Sequence, residues 1–259
     1  MKKVMLFSML LVVSILWGEG IFAQEYTTSM SSGKIIIKEV NRVEIIGTSS
    51  STVKVYTEVK KGNQSERSKG LREISARGVE DNTGMGLSIE KEGSELNILP
   101  VSRSQGRRYT IEVPKGVSVY FEHSSNRGGK VKVRDLASEI EISTNYNSVD
   151  LKNVTGAAII NTVYGGIDAV FDEIGSEDVI LHSVYSHVDL SVPANGKASF
   201  QMSSSHGKIL TDLDLDFKNG DGEGKMRNIS NNKAIGDLNG GGSMFNLKAT
   251  YNTIYLRKI

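Results

Sequence analysis

The residues with the most obvious chemical potential lie late in the chain. Asp212-Leu213-Asp214-Leu215-Asp216, with Glu223 eleven residues after Asp212, puts carboxylates where a calcium loop wants them. Such a loop needs Gly at its sixth position for the sharp turn, and Phe217 stands there. A strand with Leu213, Leu215 and Phe217 inward and three Asp on its wet face explains every residue, and leaves at most weak surface calcium binding over Asp212–Glu223. Four His are present, His123, His182, His187 and His206. No pair has a short zinc-ligand spacing on one strand face, and the absence of Cys removes thiolate ligands, thiol nucleophiles and disulfides together. No Gly-x-Ser-x-Gly elbow marks a nucleophile. Gly220–Gly224 and Gly240–Ser243 lack the Gly-Lys-Ser/Thr of a phosphate loop and read as flexible loops. Glu139/Glu141 and Asp168/Asp172 read as wet faces. The sequence therefore assigns no catalytic, metal or cofactor-binding residue, and an enzyme acting on glycans stays open only by analogy of fold.

One further set has both a structural and a functional reading. Tyr146, Tyr164, Tyr185 and Tyr251 recur in similar contexts. Sharing a face with Ile142 and Thr144 they would pack as a stacked ladder; exposed, they would form a platform for sugars. The packing reading is the simpler one, and it leaves Asn145, Asn147, Asn161 and Asn252 as the outward, ligand-facing positions.

The elements that carry these residues are strands. Period-2 alternation runs through Val43–Ile45, Val53–Tyr56, Leu87–Glu90, Leu96–Ile98 and Tyr109–Val113, punctuated by Gly, Asn and Ser. From residue 119 it becomes a repeat: Ile142–Leu151, Ile160–Ala169, Leu181–Leu190, a degenerate Met202–Leu210, and Leu247–Leu256. The aromatic slot falls at 146, 164, 185, 206 and 251, with His206 as a packing substitute. Val113-Pro114 and Val192-Pro193, 79 residues apart, mark a longer echo and the same corner. A unit of about 20 residues cannot bury its own apolar face, so units must stack. The expected fold is all-β, a β-helix-like β-solenoid of strand–turn–strand coils with sequence neighbours adjacent, preceded by an N-terminal β region continuous with it. An antiparallel hairpin stack is the rival; Gly165-Gly166 suits its turn and Ser186-His187 does not.

Residues 1–23 read as a secretory signal peptide: Met1-Lys2-Lys3, an apolar run from Val4 to Gly18, and a cut after Ala23. The run is shorter than the roughly 20 residues of a membrane span. Removing it takes two of the 31 basic and one of the 30 acidic residues, leaving 29 of each. That balance argues against a nucleic-acid partner. The organisation expected is a signal peptide at 1–23, an N-terminal β-strand region at 24–118 and a β-strand repeat region at 119–259.

Three stretches carry a family resemblance: Tyr109–Gly116 on through Val119 and Phe121, Val163–Asp168, and Leu238–Gly242 to Tyr255–Lys258. They resemble the bacterial putative-adhesin family of β-strand-repeat proteins, the toastrack group, and are similar to the head domain of putative autotransporter adhesins. The resemblance implies a β-helix-like fold outside the cytoplasm, without enzyme activity or cofactor. It implies a surface-binding role toward an envelope glycan or protein partner or, as in some relatives, a part in envelope-stress signalling. The address is periplasmic, outer-surface-associated or secreted. Asn147-Ser148 and Ser186-His187 depart from the family's Gly-containing turn, which leaves the turn geometry open.

Overall fold

The computed structural model describes residues 22–59, 71, 75, 78–102, 106–217 and 233–259, and these contain strands and no helix. The first seven strands are β1 (Phe22–Ser29), β2 (Gly33–Lys38), β3 (Arg42–Thr48), β4 (Thr52–Val59), β5 (Leu87–Glu92), β6 (Glu95–Pro100) and β7 (Arg108–Pro114). Then follow β8 (Val117–His123), β9 (Lys130–Arg134), β10 (Ile140–Thr144), β11 (Ser148–Lys152), β12 (Ala158–Thr162), β13 (Ile167–Val170), β14 (Val179–Ser183) and β15 (Val188–Val192). The last six are β16 (Ala198–Ser203), β17 (Ile209–Thr211), β18 (Asp216–Phe217), β19 (Lys233–Leu238), β20 (Ser243–Ala249) and β21 (Ile254–Lys258).

The strands form two sheets. One has ten strands in the order β1-β4-β7-β3-β9-β11-β13-β15-β21-β17, the other eleven in the order β18-β19-β16-β20-β14-β12-β10-β8-β2-β6-β5. Within the repeats, each unit gives one strand to each sheet and pairs in parallel with the next: Ile142 lies beside Ile160 and Ile160 beside Leu181, while Val149 lies beside Ile167 and Ile167 beside Val188. Parallel pairing rules out the hairpin stack for these units, because antiparallel neighbours are what a tight turn joins.

Alternation explains the core. Ile142, Ile160, Leu181 and Leu247 are buried in a column of the second sheet, and Val149, Ile167, Val188 and Ile254 in a column of the first. These columns belong to one continuous apolar cluster reaching from Met30 to Leu256. Each fully buried Leu, Ile or Val contributes about 1.5–3 kcal/mol, so the aligned columns hold a chain without disulfides. Val113-Pro114 and Val192-Pro193 stand where β7 gives way to β8 and β15 to β16, each a passage from the first sheet to the second.

The expected order of units fails at both ends. β20 lies between β14 and β16, and β21 between β15 and β17, so the last unit of the chain is inserted ahead of the one that precedes it in sequence. At the other end β2 lies between β6 and β8, and β3 between β7 and β9. The period of a repeat defines the unit and says nothing of the order in which units stack. Antiparallel strands flank the two ends: β5, β4 and β1 at one, β19 and β18 at the other.

Candidate functional site

The turn that joins the second sheet to the first is built the same way in successive units. A hydroxyl at the end of the incoming strand is buried, and the backbone N–H three residues on donates to it. Asn147 N–H reaches Thr144 Oγ1 at 3.2 Å, Ser186 N–H reaches Ser183 Oγ at 3.1 Å, and Gly207 N–H reaches Ser204 Oγ at 2.9 Å. Thr162 Oγ1 donates instead to the Gly165 carbonyl at 2.6 Å. Such local hydroxyl–backbone bonds satisfy turn amides that no strand partner reaches. The geometry left open by the missing glycines is thus settled: Asn147 and Ser186 occupy the place of Gly165 and Gly207.

Two expectations are corrected here. Tyr146 does not share the inward face of Ile142 and Thr144, because strand alternation stops at Thr144 and the turn swings the next residues outward. Tyr146, Tyr164, Tyr185 and Tyr251 are 44%, 53%, 49% and 50% exposed. Asn147 is not outward but fully buried, its amide donating to the Asn41 carbonyl at 3.0 Å and its Oδ1 accepting from Thr144 Oγ1 at 2.9 Å.

The exposed rings stack in the order Tyr146, Tyr164, Tyr185, Tyr251, His206. Centroids are 5.0 Å apart between the tyrosines and 4.7 Å between Tyr251 and His206, with planes within 19° of parallel. Backbone bonds between turns hold the rungs in step: Tyr164 N–H to Asn145 O at 2.7 Å, Tyr185 N–H to Val163 O at 2.8 Å and Tyr251 N–H to Val184 O at 2.9 Å. The spacing of the rings is that of the strands, and the strip runs for roughly 20 Å. Each stacked pair adds about 0.5–1.5 kcal/mol. The interior rings cover one another's faces, so the ladder shows solvent ring edges and phenolic hydroxyls.

Beside the ladder, on the outer face of the second sheet, lies a shallow depression of about 230 Å³ whose lining includes Asn145, Asn161, His182, Lys248 and Thr250. His182 is half-buried there, and burial pushes its pKa below the ordinary value; the Asn246 contact at 3.4 Å opposes this and nearby Lys248 adds to it. On the first sheet's outer face Asp150, Asp168 and Asp189 form a register column. Each acid has a partner: Lys130 at 2.8 Å from Asp150, the His187 ring Nε2 at 3.0 Å from Asp168 Oδ1, and Arg257 holding both oxygens of Asp189.

The other residues singled out in the sequence stay dispersed. Asp212 accepts the Lys258 N–H at 2.8 Å, Leu213 and Leu215 are buried, and Glu223 and Gly220–Gly224 fall outside the described residues. His123 is buried, its Nε2 2.9 Å from Asn41 Oδ1. Glu139 and Asp172 are exposed, and Gly240-Gly241 turns β19 into β20. Among the described residues no three His, Cys, Asp or Glu side chains converge on one point, and no helix is long and apolar enough to cross a membrane. The buried hydroxyls have a sequence signal that alternation alone does not single out: Thr144, Thr162, Ser183 and Ser204 each stand two residues before the aromatic slot.

No protein-family model matches the chain, and no curated protein matches it. Two solved structures align along most of its length. One, titled a putative cell adhesion protein, from Clostridium sporogenes, is 11% identical with a TM-score of 0.48, covering 92% of this chain and 100% of its own. The other, titled a putative adhesin, from Bacteroides fragilis, is 9% identical with a TM-score of 0.28, covering 93% of this chain and 99% of its own.

Proposed function

We propose that this chain is an exported, non-enzymatic surface-binding module of adhesin type, whose partner is a component of the cell envelope or the extracellular surroundings. In this reading residues 1–23 direct export, the strands at 24–118 and the repeat at 119–259 wind into one β-solenoid, and the corner bearing the ring ladder is the binding face. The observation that carries the proposal is the ladder: five rings held at strand spacing and left in solvent beside a depression lined by amides and hydroxyls together with His182 and Lys248. An exposed aromatic row that offers ring edges and a line of phenolic hydroxyls is suited to an amphipathic partner, since Tyr combines an apolar body with a polar tip. The non-enzymatic part of the reading is supported by the acids, since the aligned carboxylates are engaged by neighbouring side chains: Asp150 by Lys130, Asp189 by Arg257, and Asp168 by the His187 ring.

The test is co-sedimentation of the purified protein with envelope fragments and with isolated cell-wall glycan. Tyr164→Ala combined with Tyr185→Ala should lower the bound fraction about tenfold while the protein remains folded, as expected when central aromatic anchors are truncated. Equal sedimentation of variant and wild type, or no sedimentation of either, would sink the proposal. Turnover of any envelope glycan would sink its non-enzymatic part.

A further inference from the structure

The chain's charges balance in number but not in space. At the start of three neighbouring strands of the first sheet stand Arg108, Arg42 and Lys130. Arg42 lies directly beside Arg108 in the β3–β7 register. One residue on, Val43 is beside Val131, which sets Arg42 next to Lys130. The inward neighbours Tyr109, Val43 and Val131 are buried, so the three cations share the outer face and are exposed. Lys132 adds a fourth positive group. Together they line a groove of about 410 Å³ that ends at Ser148, two residues past the first ring of the ladder.

Like charges in direct register destabilise a sheet. Lys130 is relieved by Asp150, and Lys132 stands in register between Glu44 and Asp150, whereas Arg42 and Arg108 face each other. Glu44, the acid in the groove, is held by Arg134, and Asp150 engages Lys130. Among the described residues no acid lies within ion-pair distance of Arg42, Arg108 or Lys132. The backbone also makes room for this arrangement: a Cβ on Gly129 would lie 2.6 Å from Arg42 Cγ, so the arginine stem rests across the glycine and holds its head over the groove.

We propose that this groove binds a linear acidic polysaccharide, carboxylate groups seated on Arg108, Arg42 and Lys130 in succession. Guanidinium groups fork onto carboxylate oxygens in pairs. The cations advance by one strand spacing, about 4.8 Å, close to the advance of an extended glycan per sugar. The groove opens onto the corner where the ring ladder begins, so a chain lying along the strand stack leaves the cations and passes the tyrosines. The groove's chemistry is independent of the ladder, and each site has its own variants.

Binding of polygalacturonate is measured by calorimetry over a salt series. Arg42→Gln with Arg108→Gln should weaken it about tenfold or more, the loss of two charge-assisted contacts. It should also flatten the dependence of log affinity on log salt by about two. Lys115→Gln with Lys197→Gln removes the same charge at distant exposed turns and should leave affinity within about twofold. Without ligand, the arginine variant should melt no lower than the wild type, since it relieves register repulsion. The proposal is overturned by no binding at low salt, by equal loss in both variants, or by an arginine variant that melts well below the wild type. Inorganic polyphosphate or single-stranded DNA binding more tightly than polygalacturonate at equal charge would overturn it as well.

Discussion

The middle and the ends of this molecule solve the same problem differently. From β8 to β15 each unit rests on the one before it, so neighbours in sequence are neighbours in space. At both ends the order breaks: the unit made by β2 and β3 and the unit made by β20 and β21 are each seated one place in from the outermost parallel pair. A terminal unit with one partner would fray, and its outer edge would offer unpaired N–H and C=O groups to other chains. Insertion gives each of these units a partner on both sides. Antiparallel strands then cover most of what remains. At the C-terminal end β19 and β18 shield the second sheet, while the first sheet ends on the three-residue β17. Edges kept short are a recognised protection against edge-to-edge pairing. A repeat can grow from its own sequence, whereas its ends need a different device.

The strongest way to break this comparison is to remove residues 243–259. In a sequential stack that deletion would trim one outer unit. Here it withdraws Phe245, Leu247, Ala249, Ile254 and Leu256 from between two layers. The expected loss is roughly 5–10 kcal/mol, comparable with the whole stability of a domain. Hydrogen exchange should then show protection lost across β14 to β17 with β10 and β11 still protected. Full protection of β14 and β16 in the shortened chain would refute the insertion.

Next in size is a pair of alanine substitutions, one in each region. A Cβ on Gly165 would collide with the Asn147 carbonyl of the preceding turn, so Gly165→Ala forces two stacked units apart and should cost about 3 kcal/mol. Gly240 turns β19 into β20 at φ +85° with nothing within 4 Å of an added Cβ. Gly240→Ala should cost only about 1 kcal/mol, the strain of a left-handed backbone. Denaturant unfolding of the two variants measures the difference. Equal costs would mean that the central turns are no more tightly stacked than the terminal one.

The same contrast explains what could be seen in the sequence. Alternation at Ile142, Ile160 and Leu181 exposes the strands, the repeat length exposes the unit, and both are local. The stacking order is not local, since nothing in Leu247–Leu256 distinguishes a unit that follows Met202–Leu210 from one that slips in before it. The ladder is legible as a recurrence of tyrosine, but its exposure is not, because period-2 facing extended through Tyr146 points the ring inward whereas Tyr146 lies in a turn. Asn147 misled for a related reason: as a residue type it belongs outside, and its burial depends on Asn41, 106 residues earlier in the chain, supplying the carbonyl that satisfies it. The basic groove was hidden by arithmetic. A balanced total says nothing of Arg42, Arg108 and Lys130 converging from three separate stretches.

The smallest effect probes the seam between the two regions. His182 on β14 stands in register with Lys248 on the inserted β20, with Asn246 Oδ1 3.4 Å from its Nε2. Burial, the larger influence, lowers its pKa from the ordinary 6.5, and the folded state therefore resists protonation. At alkaline pH the imidazole is neutral in both states and adds no pH dependence. As pH falls through about 6.5 the unfolded chain takes up the proton first, so stability declines. The decline continues until pH passes the lower folded-state value and then levels off. His182→Gln removes this component while keeping a polar group that can meet Asn246. The melting temperatures of wild type and variant should differ by a constant amount above about pH 7.5 and shift in the variant's favour as the pH is lowered through 6.5. Curves that stay parallel down to pH 5 would show that His182 is not desolvated, and that β14 and β20 do not meet as closely there as inside the sequential stack.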